Sequence, residues 1–183
     1  SGFGLSARHV TLSTSGIAPA IRRLATESRA ALAISLHAAE DQLRTELMPI
    51  NRRHNLTELR EAIIFYQQQT GKKITIEYIL IHQKNCGLEQ ARHLVRFLQG
   101  IPAKVNLIPF NDHPGSPFSK PQADEIRTFQ KFFKENFFSF NVVHSYKNRT
   151  FVAMLELTLT NIIIAINIIV SILAFQNPQK LDS

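Results

Sequence analysis

Short runs in which apolar and polar residues alternate are separated by longer segments in which apolar residues recur every three or four positions. The first pattern is typical of β-strands and the second of amphipathic helices. Strands are predicted at residues 9–13, 31–37, 73–81, 104–110 and 140–144, and helices at residues 18–27, 41–47, 56–69, 88–98 and 124–134. This alternation predicts βαβ units and a parallel sheet, arranged either as part of an α/β barrel or as an open sheet.

Two of the predicted helices carry signals at their first turns. Asn55 and Glu58 have the spacing of a capping box before the helix at 56–69, and Gly71 follows its last turn. Ser119 and Gln122 have the same spacing before the helix at 124–134. Both pairs are therefore predicted to fix where a helix begins.

Each predicted strand has one apolar face and one partly polar face, because successive side chains of a strand point to opposite sides. The apolar face comprises Val10, Leu12, Leu32, Ile34, Leu36, Ile74, Ile76, Val105 and Leu107, and the other face comprises Thr11, Ser13, Ala33, Ser35, His37, Thr75, Glu77, Lys104 and Asn106. Strands covered by apolar layers on both sides would be apolar on both faces. The polar face thus predicts a cavity for a polar ligand, near the carboxyl ends of the strands, where Ser13, Ser15, His37 and Asn111 lie.

The charge and the cysteine content indicate which binding partners and which cellular compartment fit the sequence. Lysine and arginine outnumber aspartate and glutamate by 21 to 14, giving a formal net charge of +7, which suits a phosphate-bearing partner such as a nucleic acid. An ordinary basic protein with a solvated surface is the competing interpretation. The only cysteine, Cys86, excludes an intrachain disulfide and fits a reducing, cytoplasmic setting. The seven histidines have no metal-ligand spacing.

The chain changes character after residue 146, so two segments are predicted, 1–146 and 147–183. Residues 157–175 are uncharged, rich in isoleucine and long enough to span a bilayer, although Asn161, Asn167 and Ser171 interrupt the stretch. The first residue is Ser1 and no secretory signal follows it, so the amino terminus is expected to be a cut end.

Four blocks of the first segment resemble the RlmN/Cfr family of radical S-adenosylmethionine methyltransferases. The blocks are GFGLSARHVTLSTSG at 2–16, LAISLHA at 32–38 with its continuation to Arg52, ITIEY at 74–78, and KVNLIPFN at 104–111 with Pro114 and Gly115. Their order and spacing make the resemblance specific, and it extends from residue 2 to about residue 138. It implies an α/β fold, the C-terminal half of a partial (β/α) radical-SAM barrel.

The same resemblance implies a reaction and its cofactors. Family members use S-adenosyl-L-methionine and a [4Fe–4S] cluster to methylate C2 of an adenine in 23S rRNA, through a 5′-deoxyadenosyl radical and a methylated cysteine. Methylation of C8 instead of C2, and tRNA as a second substrate, stay open. The intact family is expected to be monomeric and cytoplasmic, with no obligate protein partner.

Five residues match family positions that contact S-adenosylmethionine: Ser13, Ser35, Leu36, His37 and Asn111. From their spacing alone, the serines are better explained as small residues that fill a tight lumen, and His37 as a histidine held by hydrogen bonds. The resemblance favours cofactor contacts for the serines instead. Glu77 faces the expected lumen, where it could bind the cofactor or the adenine, but a structural partner such as an arginine or a backbone N–H is the simpler explanation. The clusters at 22–23, 52–54 and 72–73 are candidates for RNA phosphate contacts or for a solvated charged face.

The chain also departs from the family. The Cys-x-x-x-Cys-x-x-Cys cluster motif, the Gly-Glu-Pro stretch and the closing Ala-Cys-Gly-Gln-Leu are absent, and Cys86 is interpreted as a neutral loop substitution. No catalytic or metal-ligating residue is therefore assigned, since three thiolates are needed to hold such a cluster. The chain is expected to be an incomplete, inactive fragment, with a frameshift near residues 138–147 as the hypothesis for its tail. The alternatives are a non-catalytic RNA- or cofactor-binding remnant and a tail-anchored membrane protein.

Overall fold

The computed structural model of the chain describes residues 10–112, 114–137 and 140–142. Five parallel strands form one sheet in the order β1-β2-β3-β4-β5. The elements run β1 Thr11–Thr14, α1 Ala18–Glu27, β2 Ala31–Ser35, α2 Asp41–Leu47, α3 Leu56–Thr70, β3 Ile74–Leu80, α4 Leu88–Phe97, β4 Ala103–Pro109, α5 Ala123–Asn136 and β5 Phe140–Val142, with a 3₁₀ turn at Pro49–Arg52. The α/β alternation predicted from the sequence is confirmed.

Helix α3 begins as predicted and helix α5 does not. The Asn55 side chain accepts a hydrogen bond from the Glu58 N–H, and Gly71 caps the other end of α3. At α5 the capping box is formed by Gln122 and Glu125, so the prediction from Ser119 and Gln122 was wrong by one turn. The error arose because Ser119 lies outside the helix, where its carbonyl accepts a hydrogen bond from the His82 N–H.

The apolar strand face packs beneath the helices, except at β1. Leu32, Ile34 and Leu36 are at most 1% exposed, as are the matching residues of β3 and β4. Val10 and Leu12 are each 43% exposed, which corrects the expectation that they lie under helices. Among the described elements β1 lies at the edge of the sheet, with a neighbouring strand on one side only.

Aromatic side chains belong to the same buried core as the apolar strand residues. Phe129 and Phe133 of α5 are fully buried, and the Phe129 ring lies 5.6 Å from that of Tyr78 on β3. Tyr66 of α3 is also buried and donates its hydroxyl to the Ala30 carbonyl at 2.9 Å, just before β2. These contacts hold α5 against β3 and α3 against the start of β2.

Among the described residues, no helix is both long and apolar enough to cross a bilayer. The apolar segment 157–175 and the boundary near residue 146 lie outside the described residues.

Candidate functional site

A row of polar residues crosses the sheet on the face opposite the helices. Ser35 of β2 is in register with Glu77 of β3, and Glu77 is in register with Asn106 of β4. The Asn106 Nδ2 donates to Glu77 Oε1 at 2.9 Å, and burial raises the pKa of the Glu77 carboxyl. Glu77 thus has the structural partner expected for it, although the partner is an amide and not an arginine or a backbone N–H.

The end of β2 is the most buried part of this row. Ser35 is 2% exposed, and its Oγ has no hydrogen-bond partner within the described part of the chain. A buried hydroxyl without a partner costs free energy, so this atom marks a place where a polar ligand would fit. Leu36, next along the chain, is fully buried, and its N–H donates to the Glu77 carbonyl at 3.0 Å.

His37 ends strand β2 through its backbone and its ring together. Its φ of 57° lies in the left-handed region, which is uncommon for a residue other than glycine. The chain therefore turns away from β3, and His37 Nδ1 accepts the hydrogen bond of the Ile79 N–H at 3.2 Å. A ring nitrogen thus replaces the backbone acceptor that a continuing strand would have offered.

Burial keeps the His37 ring neutral. Loss of hydration and, after it, the positive charge of Arg44 lower its pKa to about 3, while a hydrogen bond with the Glu77 backbone acts in the opposite direction. At neutral pH the ring therefore carries a single proton and cannot serve as a cation.

Arg44 joins the loops that follow β1 and β2. Its side chain is fully buried and donates from Nη2 to the Ser15 carbonyl at 2.7 Å and from Nε to the Leu36 carbonyl at 3.3 Å. Its Nη1 donates to Asn51 Oδ1 at 2.7 Å. One guanidinium thus holds together the two chain segments that carry four of the candidate residues.

The Asn51 side chain bridges Arg44 and the carboxylate of Asp41. Its Nδ2 donates to Asp41 Oδ1 at 2.8 Å, and the same carboxylate oxygen accepts the Leu56 N–H at 3.0 Å. Burial lowers the pKa of Arg44 to about 10, and Asp41 opposes that change. Even with that pKa the guanidinium is charged at neutral pH, so the network is a buried cation stabilised through an amide.

The remaining candidate residues lie at the same edge of the sheet. Ser13 is on β1, in register with Ala33 of β2, and is partly buried. Ser15 is 6% exposed and contributes its carbonyl to Arg44. Asn111 lies two residues past β4 and is exposed. The structure therefore brings Ser13, Ser35, Leu36 and His37 together on neighbouring strands and leaves Asn111 on an open loop.

Glu125 connects the loop after β3 to helix α5. It accepts hydrogen bonds from Gln122 N at 2.7 Å and from the Cys86 thiol at 3.3 Å, and its Oε2 lies 2.6 Å from His82 Nδ1. These hydrogen bonds lower the pKa of Glu125 to about 2, even though burial acts against them. Burial raises the pKa of Cys86 to about 12, so this thiol is a core residue and not a nucleophile.

Three of the basic residues considered for RNA phosphate contacts have partners within the described part of the chain. Arg22 pairs with Glu61 at 3.5 Å, and Arg23 pairs with Glu27 at 3.1 Å. Lys72 donates to the Arg29 carbonyl. These contacts fit a solvated charged face, and contacts of these groups with RNA stay a prediction.

Sequence reasoning assigned no role to Arg44, Asn51 or Asn85, the three buried polar residues that organise this region. Arg44 and Asn51 lie inside a block that carries the family resemblance, yet only their burial distinguishes them from the other polar residues of that block. A charged residue on a short helix gives no sign of burial in the sequence, since its usual place is the surface.

Acid is expected to destabilise the fold through His37. Its folded pKa of about 3 lies below the ordinary value of 6.5, so the unfolded chain binds the extra proton first as the pH falls. This contribution to stability is complete above pH 6.5 and is lost between pH 6.5 and about 3, with a slope of about 1.4 kcal/mol per pH unit. Urea unfolding at a series of pH values will measure it.

The matched control for that series is His54→Gln, because the His54 side chain is 19% exposed and lies 3.2 Å from Glu58. His37→Gln should remove the slope between pH 6.5 and 5, where the carboxylates contribute least, and His54→Gln should leave most of it. Equal slopes in the wild type and in His37→Gln would show that His37 is not buried as a neutral ring.

No family model matches the chain. It is 48% identical over 139 residues to the dual-specificity RNA methyltransferase RlmN of Francisella tularensis, a match that covers 74% of this chain and 38% of the relative. The RlmN of Syntrophobacter fumaroxidans is 51% identical over 130 residues, covering 71% of this chain and 38% of the relative. The chain therefore spans about two fifths of the length of the curated relatives that it matches.

Solved structures agree with the sequence comparison. A radical SAM methyltransferase from Sphaerobacter thermophilus superposes with a TM-score of 0.75 and 41% identity, covering 79% of this chain and 42% of that one. A domain of a pyruvate-formate lyase-activating enzyme from Bacteroides vulgatus, at TM-score 0.58 and 14% identity, shares the fold alone. The resemblance stated from four sequence blocks and the partial radical-SAM barrel are both confirmed.

Proposed function

We propose that this chain, a homologue of part of the RlmN RNA methyltransferases, supplies the cofactor-binding C-terminal part of an enzyme that methylates adenine C2 in 23S rRNA. Its relatives are named dual-specificity RNA methyltransferases, which supports an RNA substrate. On this proposal the enzyme acts in the cytoplasm, with tRNA as a second substrate. The net charge of +7 favours a polyanionic partner of this kind.

The end of strand β2 is the observation that carries the proposal. Ser35 presents a buried hydroxyl without a partner among the described residues, and His37 presents a neutral ring two residues further along. Glu77 and Asn106 continue the polar row across the sheet. Hydroxyl, imidazole, carboxylate and amide groups suit a ligand rich in hydroxyl and amino groups, as S-adenosylmethionine is. The residues present thus fit this cofactor.

Each residue has a distinct part in that site. Ser35 offers a hydroxyl and His37 one N–H, while Ser13 and the backbone of Leu36 line the same strand ends. Arg44 holds the Ser15 and Leu36 carbonyls and so keeps the β1 and β2 loops at a fixed separation. When bound, S-adenosylmethionine supplies the methyl group. Asn111, on its open loop, is proposed to complete the site from the β4 side.

The residues of this chain do not fit an iron–sulfur cluster. Cys86 is the only cysteine of the sequence, and its buried thiol donates to Glu125. No metal-binding group of three or more histidine, cysteine, aspartate or glutamate side chains occurs in the part of the chain that the structure describes. We therefore assign no step of the reaction to a cluster held by this chain, and the proposed role is cofactor binding within a longer or assembled enzyme.

A chimera tests the proposal. Residues 10–137 of this chain replace the corresponding segment of the Francisella relative, whose own flanking sequences are kept. The chimera is expressed in a strain without its own enzyme, and 23S rRNA and tRNA are digested separately for mass spectrometry. We expect 2-methyladenosine in the 23S rRNA, and its amount should fall at least tenfold when the graft carries His37→Ala.

Two controls accompany the chimera. The relative with the segment deleted gives the background, and a graft with Asn136→Ala, on an exposed part of α5, should leave the product unchanged. A soluble chimera that makes no methylated adenine would overturn the proposal. The appearance of 8-methyladenosine in place of 2-methyladenosine would retain the cofactor site and reject the C2 assignment.

A further inference from the structure

Asn85 contacts the turn at His37, beside the Leu36 carbonyl that Arg44 holds. It lies in the loop between β3 and α4, is fully buried, and donates from Nδ2 to the His37 carbonyl at 2.7 Å and to the Ile79 carbonyl at 2.6 Å. Its Oδ1 accepts the Ile81 N–H at 2.7 Å. Three backbone groups of two different chain segments are therefore satisfied by one side-chain amide.

The arrangement requires an amide at this position. The two Nδ2 hydrogens meet two carbonyls, and Oδ1 meets a backbone N–H, so donors and acceptor are all used. The Tyr78 hydroxyl donates to the Asn85 carbonyl at 3.1 Å and fixes the backbone of the same residue. A carboxylate in place of the amide would set acceptors against the two carbonyls and would have no proton to donate.

The bond to the His37 carbonyl supports an unusual backbone conformation. A residue other than glycine in the left-handed region is strained and persists where its surroundings fix it. Here Asn85 fixes the carbonyl of His37, and the Ile79 N–H fixes Nδ1 of its ring. Because Nδ1 accepts that bond, the single proton of the neutral ring lies on Nε2.

We propose that Asn85 is a positioning residue that holds the turn at His37, so that the ring offers Nε2–H to the bound S-adenosylmethionine. The inference rests on the proposed function for the identity of the ligand. It goes beyond that function by assigning a role to a residue of the β3–α4 loop and a tautomer to His37. Ser35, with its unpartnered hydroxyl two residues before His37, would bind the same ligand.

The experiment uses the full chain, labelled with ¹⁵N, and S-adenosylmethionine as the probe. Long-range ¹H–¹⁵N spectra identify which ring nitrogen of His37 carries the proton, and a titration followed in the same spectra gives the dissociation constant. We expect the wild type to show protonated Nε2, with resonances of His37 that move as the ligand is added. Asn85→Asp should disturb the single tautomer and weaken binding by roughly tenfold, since the turn is no longer held.

Asn136→Asp is the matched control, because Asn136 also donates its side-chain amide to a backbone carbonyl, that of Phe132 at 2.8 Å, but on the exposed side of α5. It should preserve both the tautomer and the dissociation constant. Asn85→Ala removes the amide without adding a charge and serves if the aspartate variant does not fold; it should show the same changes as Asn85→Asp.

Three results would overturn the inference, and they separate it from the proposed function. Protonated Nδ1 in the wild type would show that the assigned tautomer is wrong. Unchanged binding in both Asn85 variants, with the wild type binding normally, would show that Asn85 is a structural residue only. Absence of binding by the wild type, with protonated Nε2, would reject the cofactor assignment of the proposed function and with it the ligand of this inference.

Discussion

Replacing Arg44 with methionine is expected to lower the free energy of unfolding by about 3 kcal/mol. Methionine fills much of the same volume but donates no hydrogen bond. The Ser15 carbonyl and Asn51 Oδ1 would then lose their donors in a fully buried place, and each such group costs about 1–3 kcal/mol. The Leu36 carbonyl would keep one partner, the Ala38 N–H at 2.7 Å. Urea unfolding followed by circular dichroism measures the difference.

The removal of Arg44 also has a stabilising effect, which opposes the loss of its hydrogen bonds. Burial already lowers the pKa of Arg44 to about 10, which reflects the cost of removing the guanidinium from water, and methionine would abolish that cost. The loss of the hydrogen bonds should still dominate, because the Asn51 amide that bonds Asp41 would no longer be bonded to a cation. Stability equal to that of the wild type would show that the desolvation cost of Arg44 cancels its three hydrogen bonds.

Arg23→Met is the matched control, since it makes the same chemical change on the surface. Arg23 is exposed and pairs with Glu27 one turn away on α1. Water and salt screen exposed pairs of this kind and leave them little net stabilisation, so this variant should remain close to the wild type. A loss similar to that of Arg44→Met would mean that arginine content, and not the buried network, determines the stability.

The order of elements was predictable because each strand and helix has a clear apolar period. Strand β3 illustrates this, since Ile74, Ile76, Tyr78 and Leu80 alternate with less buried residues along its whole length. The end of β2 was less predictable: residues 36 and 37 continue the apolar alternation, yet His37 turns into the left-handed region and the strand stops at Ser35. The hydrogen bonds that cause this turn come from residues more than 40 positions away.

The candidate site was predicted only in part, for a related reason. Strand-end polar residues such as Ser35 are visible as a pattern, because parallel strands bring their carboxyl ends to one edge of the sheet. The residues that hold those ends in place have no pattern of their own. Arg44 lies on a seven-residue helix and Asn85 in a loop, and only the folded chain shows that both are fully buried. The exposure of Val10 and Leu12 was missed because alternation does not reveal which strand lies at an edge.

Replacing Gly16 with alanine is the second change expected to have a large effect, with a loss of about 3 kcal/mol in the free energy of unfolding. Gly16 follows the β1 strand end with a φ of 103°, which alanine adopts only with strain. A methyl group there would also lie 2.8 Å from Arg44 Nη2 and 3.2 Å from Leu59 Cδ2. Arg44 would have to move away from the Ser15 carbonyl that it holds, so S-adenosylmethionine binding should weaken as well.

Gly100→Ala separates the strain of the backbone from the collision with Arg44. Gly100 has a φ of 75°, but an added methyl group there would meet nothing within 4 Å, so this variant should lose only about 1 kcal/mol. Gly16→Ala is expected to lose more free energy of unfolding than Gly100→Ala. This difference should shrink when Gly16→Ala is combined with Arg44→Met, because the flexible methionine can move away from the added methyl group and neighbouring changes are not additive. Additive losses in the double variant would show that backbone strain alone accounts for Gly16, and that the guanidinium does not set the packing of the β1 loop.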